Sequence, residues 1–198
     1  GWPAGPGAYG CLESHRRAIE KAILSGVSSV LLLEDDLKFV EDFQTKLAAF
    51  LSVVPDDWDA LYLGGQYMTP PTEVVPGVLK AGGLDGIHRT HAYTLRGNYL
   101  KKVYRLYSSS MGHCDHVVGR SHANHRVYGA DPWLALQSAD AGASDINGKT
   151  PDKDRDWAPK QKRIVKTGVP ARTATVRGQT VRPCCGEKPA SVRRQASR

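Results

Sequence analysis

Three stretches of the chain repeat apolar residues at spacings of three and four, which is the period of an amphipathic helix. They predict helices over residues 11–24, 40–51 and 98–107. Ser25-Gly26 ends the first helix and Pro55 follows the second. Residues 1–10 contain two prolines and four glycines, and we therefore expect a loop or an extended entry before the first helix.

Short apolar runs lie between these helices and predict strands. Residues 30–33 are four consecutive apolar residues, typical of a buried central strand in a parallel sheet. Residues 59–63 form a second strand, closed by Gly64-Gly65. Strand, helix and strand in this order indicate a right-handed crossover unit. Further strands are predicted at 78–79 and 87–95, with a last short strand at 127–128.

Charge divides the chain into two parts. Residues 149–198 carry fourteen Lys and Arg against four acids, a net charge of +10, whereas residues 1–148, with thirteen against sixteen, carry −3. The basic part is poor in Leu, Ile and Phe, so it buries too little apolar surface to offset its ordering entropy. We expect one compact domain over 1–148 and a disordered tail over 149–198 that contacts nucleic acid, an anionic membrane surface or nothing specific.

The cysteines and the hydropathy pattern bear on the compartment. Cys11, Cys114 and the adjacent pair Cys184-Cys185 do not form the spaced framework of a secreted disulfide protein. No apolar run reaches the roughly 20 residues that cross a bilayer, and no charged leader is present. The expected location is therefore cytoplasmic, peripheral to the inner face of a membrane. The sequence begins at Gly1 and not at Met, so these statements concern the printed residues alone.

Three acids follow the first predicted strand directly: Glu34, Asp35 and Asp36. Carboxylates beside an apolar core repel one another unless a cation or solvent compensates them. Because strand side chains alternate, Glu34 and Asp36 should share one face while Asp35 points the other way. The paired oxygens suit Mg²⁺ or Mn²⁺, ions that also bind phosphate.

A metal at this position fits transfer from a sugar diphosphonucleotide, because the departing diphosphate gains negative charge that the ion stabilises. An acidic cluster is weak evidence by itself. A helix N-terminus also accommodates acids, so Asp35 and Asp36 could simply lead the helix that follows.

Further segments make the chemistry more specific. Gly10 to His15 places a Gly-Cys pair before Ser-His at a helix start, and Leu31 to Asp36 is a strand that ends in Glu-Asp-Asp. The others are Trp58–Gly64 (WDALYLG), His91-Ala92-Tyr93, Cys114-Asp115, and Gln137 followed by Ser144-Asp145-Ile146. In this order, over residues 8–146 or about 70% of the chain, they resemble the motifs of glycosyltransferase family 25, the lipooligosaccharide and collagen hydroxylysine sugar transferases.

The resemblance implies an enzyme and a role for each matched residue. A metal-dependent inverting transferase would move a hexose, galactose or glucose, from a nucleotide-diphosphate sugar such as a UDP-hexose to a hydroxyl of a saccharide or lipooligosaccharide. Asp115 would be the catalytic base, with a helix N-cap as its structural alternative, and Glu34 and Asp36 would hold Mn²⁺ or Mg²⁺. The donor would contact Ser14, His15, Asp35, Gly65 and Gln66. The acceptor or sugar would lie near His91, Tyr93, Gln137, Ser144 and Asp145.

The expected fold is α/β and Rossmann-like, of the GT-A type, with a mixed, mostly parallel sheet flanked by helices. Family members usually begin with a further strand that ends in an Asn-Leu-Asp-Arg-like stretch, and the printed sequence lacks it. Either the nucleotide pocket is incomplete or the N-terminus has been cut. The basic tail has no recognised counterpart in the family.

Structural alternatives accompany several of these roles. His15 could be a satisfied boundary residue of its helix, Tyr93 could belong to the core, and Gly65 could serve a turn or a close backbone approach. The residues His113, Cys114, Asp115, His116, His122 and His125 could also be read as a zinc site, although their spacing matches no trusted ligand pattern.

Two other functions remain open from the sequence. The +10 tail favours a phage-type transferase that modifies a hydroxylated DNA base. The missing strand favours a catalytically dead relative that binds an acidic partner through its tail.

Overall fold

The computed structural model describes residues 2–138, together with the backbone of three short strand segments at 165–166, 175–176 and 179–180. The chain divides into two compact units, Gly1–Gly168 and Val169–Arg198. The predicted disordered tail lies for the most part outside the described residues.

The helices confirm the periodicity of the sequence. They are α1 (Gly5–Leu24), α2 (Phe43–Val53), α3 (Gly97–Ser109) and α4 (Cys114–Gly119). The loop expected over residues 1–10 is wrong from Gly5 onward. Pro6 occupies the first turn of α1, where a missing N–H costs no intrahelical hydrogen bond. The buried residues of α1 repeat at helical spacing: Ala8, Leu12, His15, Ile19 and Ala22.

The strands confirm each predicted strand segment and add others. In chain order they are β1 (Ser29–Leu33), β2 (Leu37–Phe39), β3 (Ala60–Tyr67), β4 (Thr72–Val75), β5 (Val78–Lys80), β6 (Ile87–Arg96), β7 (Val127–Ala130), β8 (Ala135–Gln137), β9 (Val165–Lys166), β10 (Thr175–Val176) and β11 (Gln179–Thr180). The strand at 127–128 is not the last one, and β3 continues through Gly64-Gly65 to Tyr67.

The main sheet has the strand order β1-β6-β3-β7-β5-β4-β9. The pairs β3–β7 and β4–β9 are parallel, and the other pairs in this sheet are antiparallel. The expected α/β sheet flanked by helices is therefore confirmed as a mixed sheet, but its mostly parallel character is wrong. Two further antiparallel pairs form separate two-stranded sheets, β2–β8 and β10–β11. Assignment to the GT-A type stays a prediction.

The apolar run at 30–33 forms β1, which is an edge strand of the described sheet and pairs antiparallel with β6. Leu32 is buried, whereas Leu31 and Leu33 are 47% and 46% exposed. The expected buried central strand is therefore wrong, because a run of leucines does not specify which neighbours cover its second face. β1 and β3 both pair antiparallel with β6, so they run in the same direction, as the predicted crossover unit requires. They are not neighbours, however, because β6 lies between them.

Alternation along the strands builds two cores, one on each face of the sheet. Tyr62 and Tyr93 pack with α1, α3 and α4, whereas Leu61 and Leu63 pack with Phe50 of α2. No helix within residues 2–138 combines the length and hydropathy that crossing a bilayer requires. Helices cover both faces of the sheet, and polar residues lie at the end of β1, beside β8.

Candidate functional site

The three acids begin where β1 ends. The backbone N–H of Glu34 donates to the carbonyl of His91 at 2.9 Å, so the first acid is still held against β6. Glu34 and Asp36 are half-buried and Asp35 is exposed. The burial of the acids therefore alternates as predicted, with Glu34 and Asp36 less exposed than Asp35.

Glu34 is held by α1 and β6. Its Oε1 lies 3.1 Å from His15 Nε2 and accepts a hydrogen bond from the Thr90 hydroxyl, also at 3.1 Å. Burial would raise the pKa of Glu34, but the hydrogen bond and the charge of His15 lower it. Burial would likewise lower the pKa of His15, but hydrogen bonding to Cys11 and Glu34 raises it to about 9. Glu34, which is half-buried, and His15, which is buried, therefore form an ion pair at neutral pH.

His15 also contacts Tyr93. Its Nδ1 lies 3.1 Å from the Tyr93 hydroxyl, so both ring nitrogens have protein partners. Tyr93 is fully buried, stacks on Tyr62 with ring centroids 5.4 Å apart, and contacts the Tyr107 hydroxyl. These contacts place His15 behind Glu34 and place Tyr93 in the core, which agrees with the structural alternatives for both residues.

Asp36 faces the separate strand pair. Its Oδ2 accepts a hydrogen bond from Gln137 Nε2 at 3.0 Å, because Gln137 lies opposite Leu37 in the β2–β8 register. Its Oδ1 is buried and has no hydrogen-bond partner among the residues that the structure describes. Burial and the charge of Glu34 raise the pKa of Asp36. A carboxylate with an unsatisfied buried oxygen is suited to a cation.

Arg89 joins two glutamines to this cluster, and the sequence analysis missed it. Its Nε donates to Gln66 Oε1 at 3.1 Å and its Nη1 donates to Gln137 Oε1 at 2.8 Å. Burial lowers the pKa of Arg89, and the charges of three acids oppose that shift: Asp115, Glu34 and Asp36. A cationic group thus lies among the predicted donor and metal residues.

A bulge in β6 directs Arg89 toward the cluster. Gly64 pairs with Ala92 and Gln66 pairs with His88, so β6 uses four residue steps where β3 uses two. Within this bulge Arg89 adopts a φ of 63°, a left-handed conformation that costs a non-glycine residue about 1–3 kcal/mol. Bulges and such conformations occur often at functional sites. No sequence signal marks a bulge at an arginine.

Asp115 lies in the first turn of α4. Its Oδ2 accepts the Arg89 backbone N–H at 3.1 Å and its Oδ1 accepts the His116 backbone N–H at 2.8 Å. The N-cap of α4 is His113, so the N-cap alternative for Asp115 is wrong. The two hydrogen bonds orient the half-buried carboxylate beside the bulge.

Two glycines of β3 are explained by packing. A Cβ at Gly64 would collide with the Ala135 carbonyl oxygen and the His91 ring. A Cβ at Gly65 would lie 2.5 Å from Ile87 Cγ2. His91 is buried, its Nε2 contacts the Ala135 oxygen at 3.3 Å, and burial lowers its pKa. These residues form the packed floor beneath the acids.

Other predicted site residues are exposed or lie outside the described residues. Ser14 is exposed on α1 and Asp35 is exposed in the turn after β1. Ser144 and Asp145 lie outside the described residues. The structure therefore brings together six of the predicted residues with Arg89: His15, Glu34, Asp36, Gln66, Asp115 and Gln137.

The histidine-rich segment does not converge as the zinc interpretation required. His122 is buried, where its Nδ1 accepts the Ile87 backbone N–H and its Nε2 contacts the Tyr62 hydroxyl. His125 lies 3.4 Å from Asp59. Within residues 2–138, Asp115 and His116 instead approach His88, which lies outside that segment.

The chain resembles known proteins over part of its length. No family model matches it. It is 33% identical over 97 residues to the human inactive glycosyltransferase 25 family member 3. These residues make up 46% of this chain and 16% of that protein. It is 34% identical over 104 residues to Xenopus laevis procollagen galactosyltransferase 1-B (49% and 17%) and 29% identical over 110 residues to zebrafish (Danio rerio) procollagen galactosyltransferase 1 (53% and 18%).

The matches cover about half of this chain, and the chain spans about a sixth of the length of these curated relatives. Some relatives are named as galactosyltransferases and others as inactive. The resemblance found in the sequence is thereby confirmed: the curated relatives of this chain are members of glycosyltransferase family 25.

Proposed function

We propose that this chain contributes the donor and metal site of a hexosyltransferase that moves a hexose from a nucleotide-diphosphate sugar to an acceptor hydroxyl. Galactose is the preferred candidate, because relatives carry the name galactosyltransferase. The acceptor is expected to be a saccharide, as the family resemblance implies.

One observation carries the proposal: Asp36 Oδ1 is buried without a hydrogen-bond partner among the described residues, beside a second half-buried carboxylate. Burying an unsatisfied carboxylate oxygen is costly unless a ligand compensates it. Glu34 uses Oε1 for both of its contacts described above. These donors fit Mn²⁺ or Mg²⁺, for which carboxylate oxygens are the preferred protein ligands.

Asp36 and Glu34 would hold the ion, and the His15 contact would keep Glu34 ionised. A bound divalent cation supplies positive charge to the departing diphosphate. Arg89 supplies a second positive charge, and its two glutamine contacts hold the guanidinium in place. Asp115, oriented by two backbone N–H groups, would accept the proton of the acceptor hydroxyl.

The decisive experiment compares Asp36→Asn with Asp56→Asn in the full chain. Asn keeps the shape of Asp36 but removes its charge, whereas Asp56 is exposed before β3. Binding of UDP with Mn²⁺ should fall at least about 100-fold in D36N, or roughly 2.7 kcal/mol, and remain unchanged in D56N. Hydrolysis of UDP-galactose should fall in parallel. Equal binding by parent and D36N would contradict the proposal.

A second candidate is a relative that binds the nucleotide without transferring sugar. The names of several relatives favour it. Micromolar binding of UDP and Mn²⁺ that is lost in D36N, without sugar release to water or to a saccharide acceptor, would support this candidate. Turnover of the donor that is sensitive to EDTA would exclude it.

A further inference from the structure

Two cysteines that are distant in sequence meet beside the acids. The Sγ atoms of Cys11, on α1, and Cys114, the first residue of α4, lie 3.3 Å apart although 103 positions separate them. Both are free thiols. The proposed sugar transfer uses neither of them.

The two thiols differ in accessibility and acidity. Cys11 is half-buried and Cys114 is 4% exposed. A hydrogen bond from Cys114 lowers the pKa of Cys11 to about 6 against the effect of burial, and His15 adds to this lowering. The same hydrogen bond and burial raise the pKa of Cys114 well above its ordinary value. Cys11 is therefore the more reactive and more accessible sulfur.

We propose that Cys11 and Cys114 form a reversible disulfide by exchange with a small disulfide such as oxidised glutathione. The Cys11 thiolate attacks one glutathione sulfur, which forms a mixed disulfide and releases glutathione thiolate. Cys114 then gives its proton to solvent, and its sulfur attacks Cys11 Sγ, which releases the second glutathione. The two cysteines lose two electrons in total, and oxidised glutathione gains both.

The geometry requires little movement for this bond. An S–S bond is about 2.05 Å long, so the two sulfurs must approach by about 1.2 Å from their separation of 3.3 Å. Cys114 of α4 belongs to the core cluster against which Cys11 of α1 packs, so a shift of this size between the two helices would close the gap.

A metal ion is the competing occupant, because the donor atoms of Cys11, His15 and Cys114 lie within 4.8 Å of one another. Two observations favour the disulfide. Both ring nitrogens of His15 are already engaged, by Tyr93 and Glu34. The sulfurs are also closer than the about 3.8 Å that tetrahedral Zn–S bonds of roughly 2.3 Å would set.

Thr90 connects the cysteine pair to the acids, because its hydroxyl contacts Cys114 Sγ and Glu34 Oε1, each at 3.1 Å. A disulfide at Cys114 would therefore alter the surroundings of Glu34. Any effect of oxidation on sugar transfer rests on the proposed function. Formation of the disulfide does not depend on it, so the experiment below measures the bond itself.

The test uses the full chain with Cys184→Ser and Cys185→Ser, which removes the other two thiols. After incubation with oxidised glutathione, mass spectrometry of a non-reduced digest should find the peptides of Cys11 and Cys114 linked and both thiols consumed. Adding Cys114→Ser should trap glutathione on Cys11, whereas adding Cys11→Ser should leave Cys114 unmodified.

Three results would overturn the proposal. The first is no linked peptide from protein with a native circular dichroism spectrum. The second is glutathione on Cys114 and not on Cys11 in the single variants. The third is stoichiometric zinc in the purified chain that Cys11→Ser removes, since the pair would then be metal ligands.

Discussion

Two buried histidines lie at opposite ends of one tyrosine stack. His15 contacts Tyr93 and His122 contacts Tyr62, and these two tyrosines stack on each other. The pKa of His15 is raised to about 9, whereas burial lowers the pKa of His122 to about 3.

The difference lies in their second contacts. His15 Nε2 faces the Glu34 carboxylate, whereas His122 Nδ1 accepts the backbone N–H of Ile87. Burial disfavours the charged form in both places, and at His15 the hydrogen bonds to Cys11 and Glu34 reverse its effect. One end of the stack therefore holds a charged site and the other end holds a neutral structural contact.

His122→Ala should have the largest effect on stability. It removes a ring that is 1% exposed and leaves the Ile87 N–H without its partner. We expect a loss of about 3–4 kcal/mol in the free energy of unfolding. Urea denaturation at about pH 7.5 and about pH 9.5 should give the same loss, because the ring is neutral at both. A loss that differs between the two pH values would show that His122 is charged, as His15 is, and the two ends of the tyrosine stack would then be alike.

Gly64→Ala tests the packed floor beneath the acids. Its Cβ would collide with a backbone oxygen and the His91 ring, neither of which can move freely. We expect a loss of about 2–3 kcal/mol. Gly10→Ala is the matched control, because a Cβ there meets nothing within 4 Å inside α1, and it should stabilise the chain by about 0.5–1 kcal/mol. Equal effects in thermal or urea unfolding would argue against close packing under the acids.

His15→Gln should reveal the charge through its pH dependence. A histidine whose pKa is raised to about 9 contributes stability that is complete below the unfolded value of about 6.5 and is lost as pH rises through about 9. The deficit of H15Q should therefore be about 2 kcal/mol at about pH 7.5 and nearly absent at about pH 9.5. A deficit that is constant over this range would mean that His15 is neutral like His122.

Arg89→Lys should have the smallest effect and should act on ligand binding. Lysine keeps the positive charge but cannot make the two fixed contacts to Gln66 and Gln137. We expect affinity for UDP with Mn²⁺ to fall about tenfold, or roughly 1.4 kcal/mol, by calorimetry. Arg105→Lys, on the exposed face of α3, should change nothing. Equal affinity in parent and R89K would remove Arg89 from the proposed donor site.

The predicted elements could be found because their signals are local. The helical period of residues 11–24 and the apolar runs at 30–33 and 87–95 depend on neighbours within a few positions, and each forms the expected element. The lower exposure of Glu34 and Asp36 follows from the same alternation. Gln66 and Gln137 were chosen by their position and by resemblance, and they meet at Arg89.

The sequence by itself determined three of the helices, five of the strand segments, the paired acids and the family resemblance, because each depends on residues that are close along the chain. Only the tertiary structure decided that β1 is an antiparallel edge strand, that a bulge brings Arg89 among the acids, and that Cys11 meets Cys114. These features depend on which distant segments pack together, and the free energy of that packing is not encoded in any short window of residues.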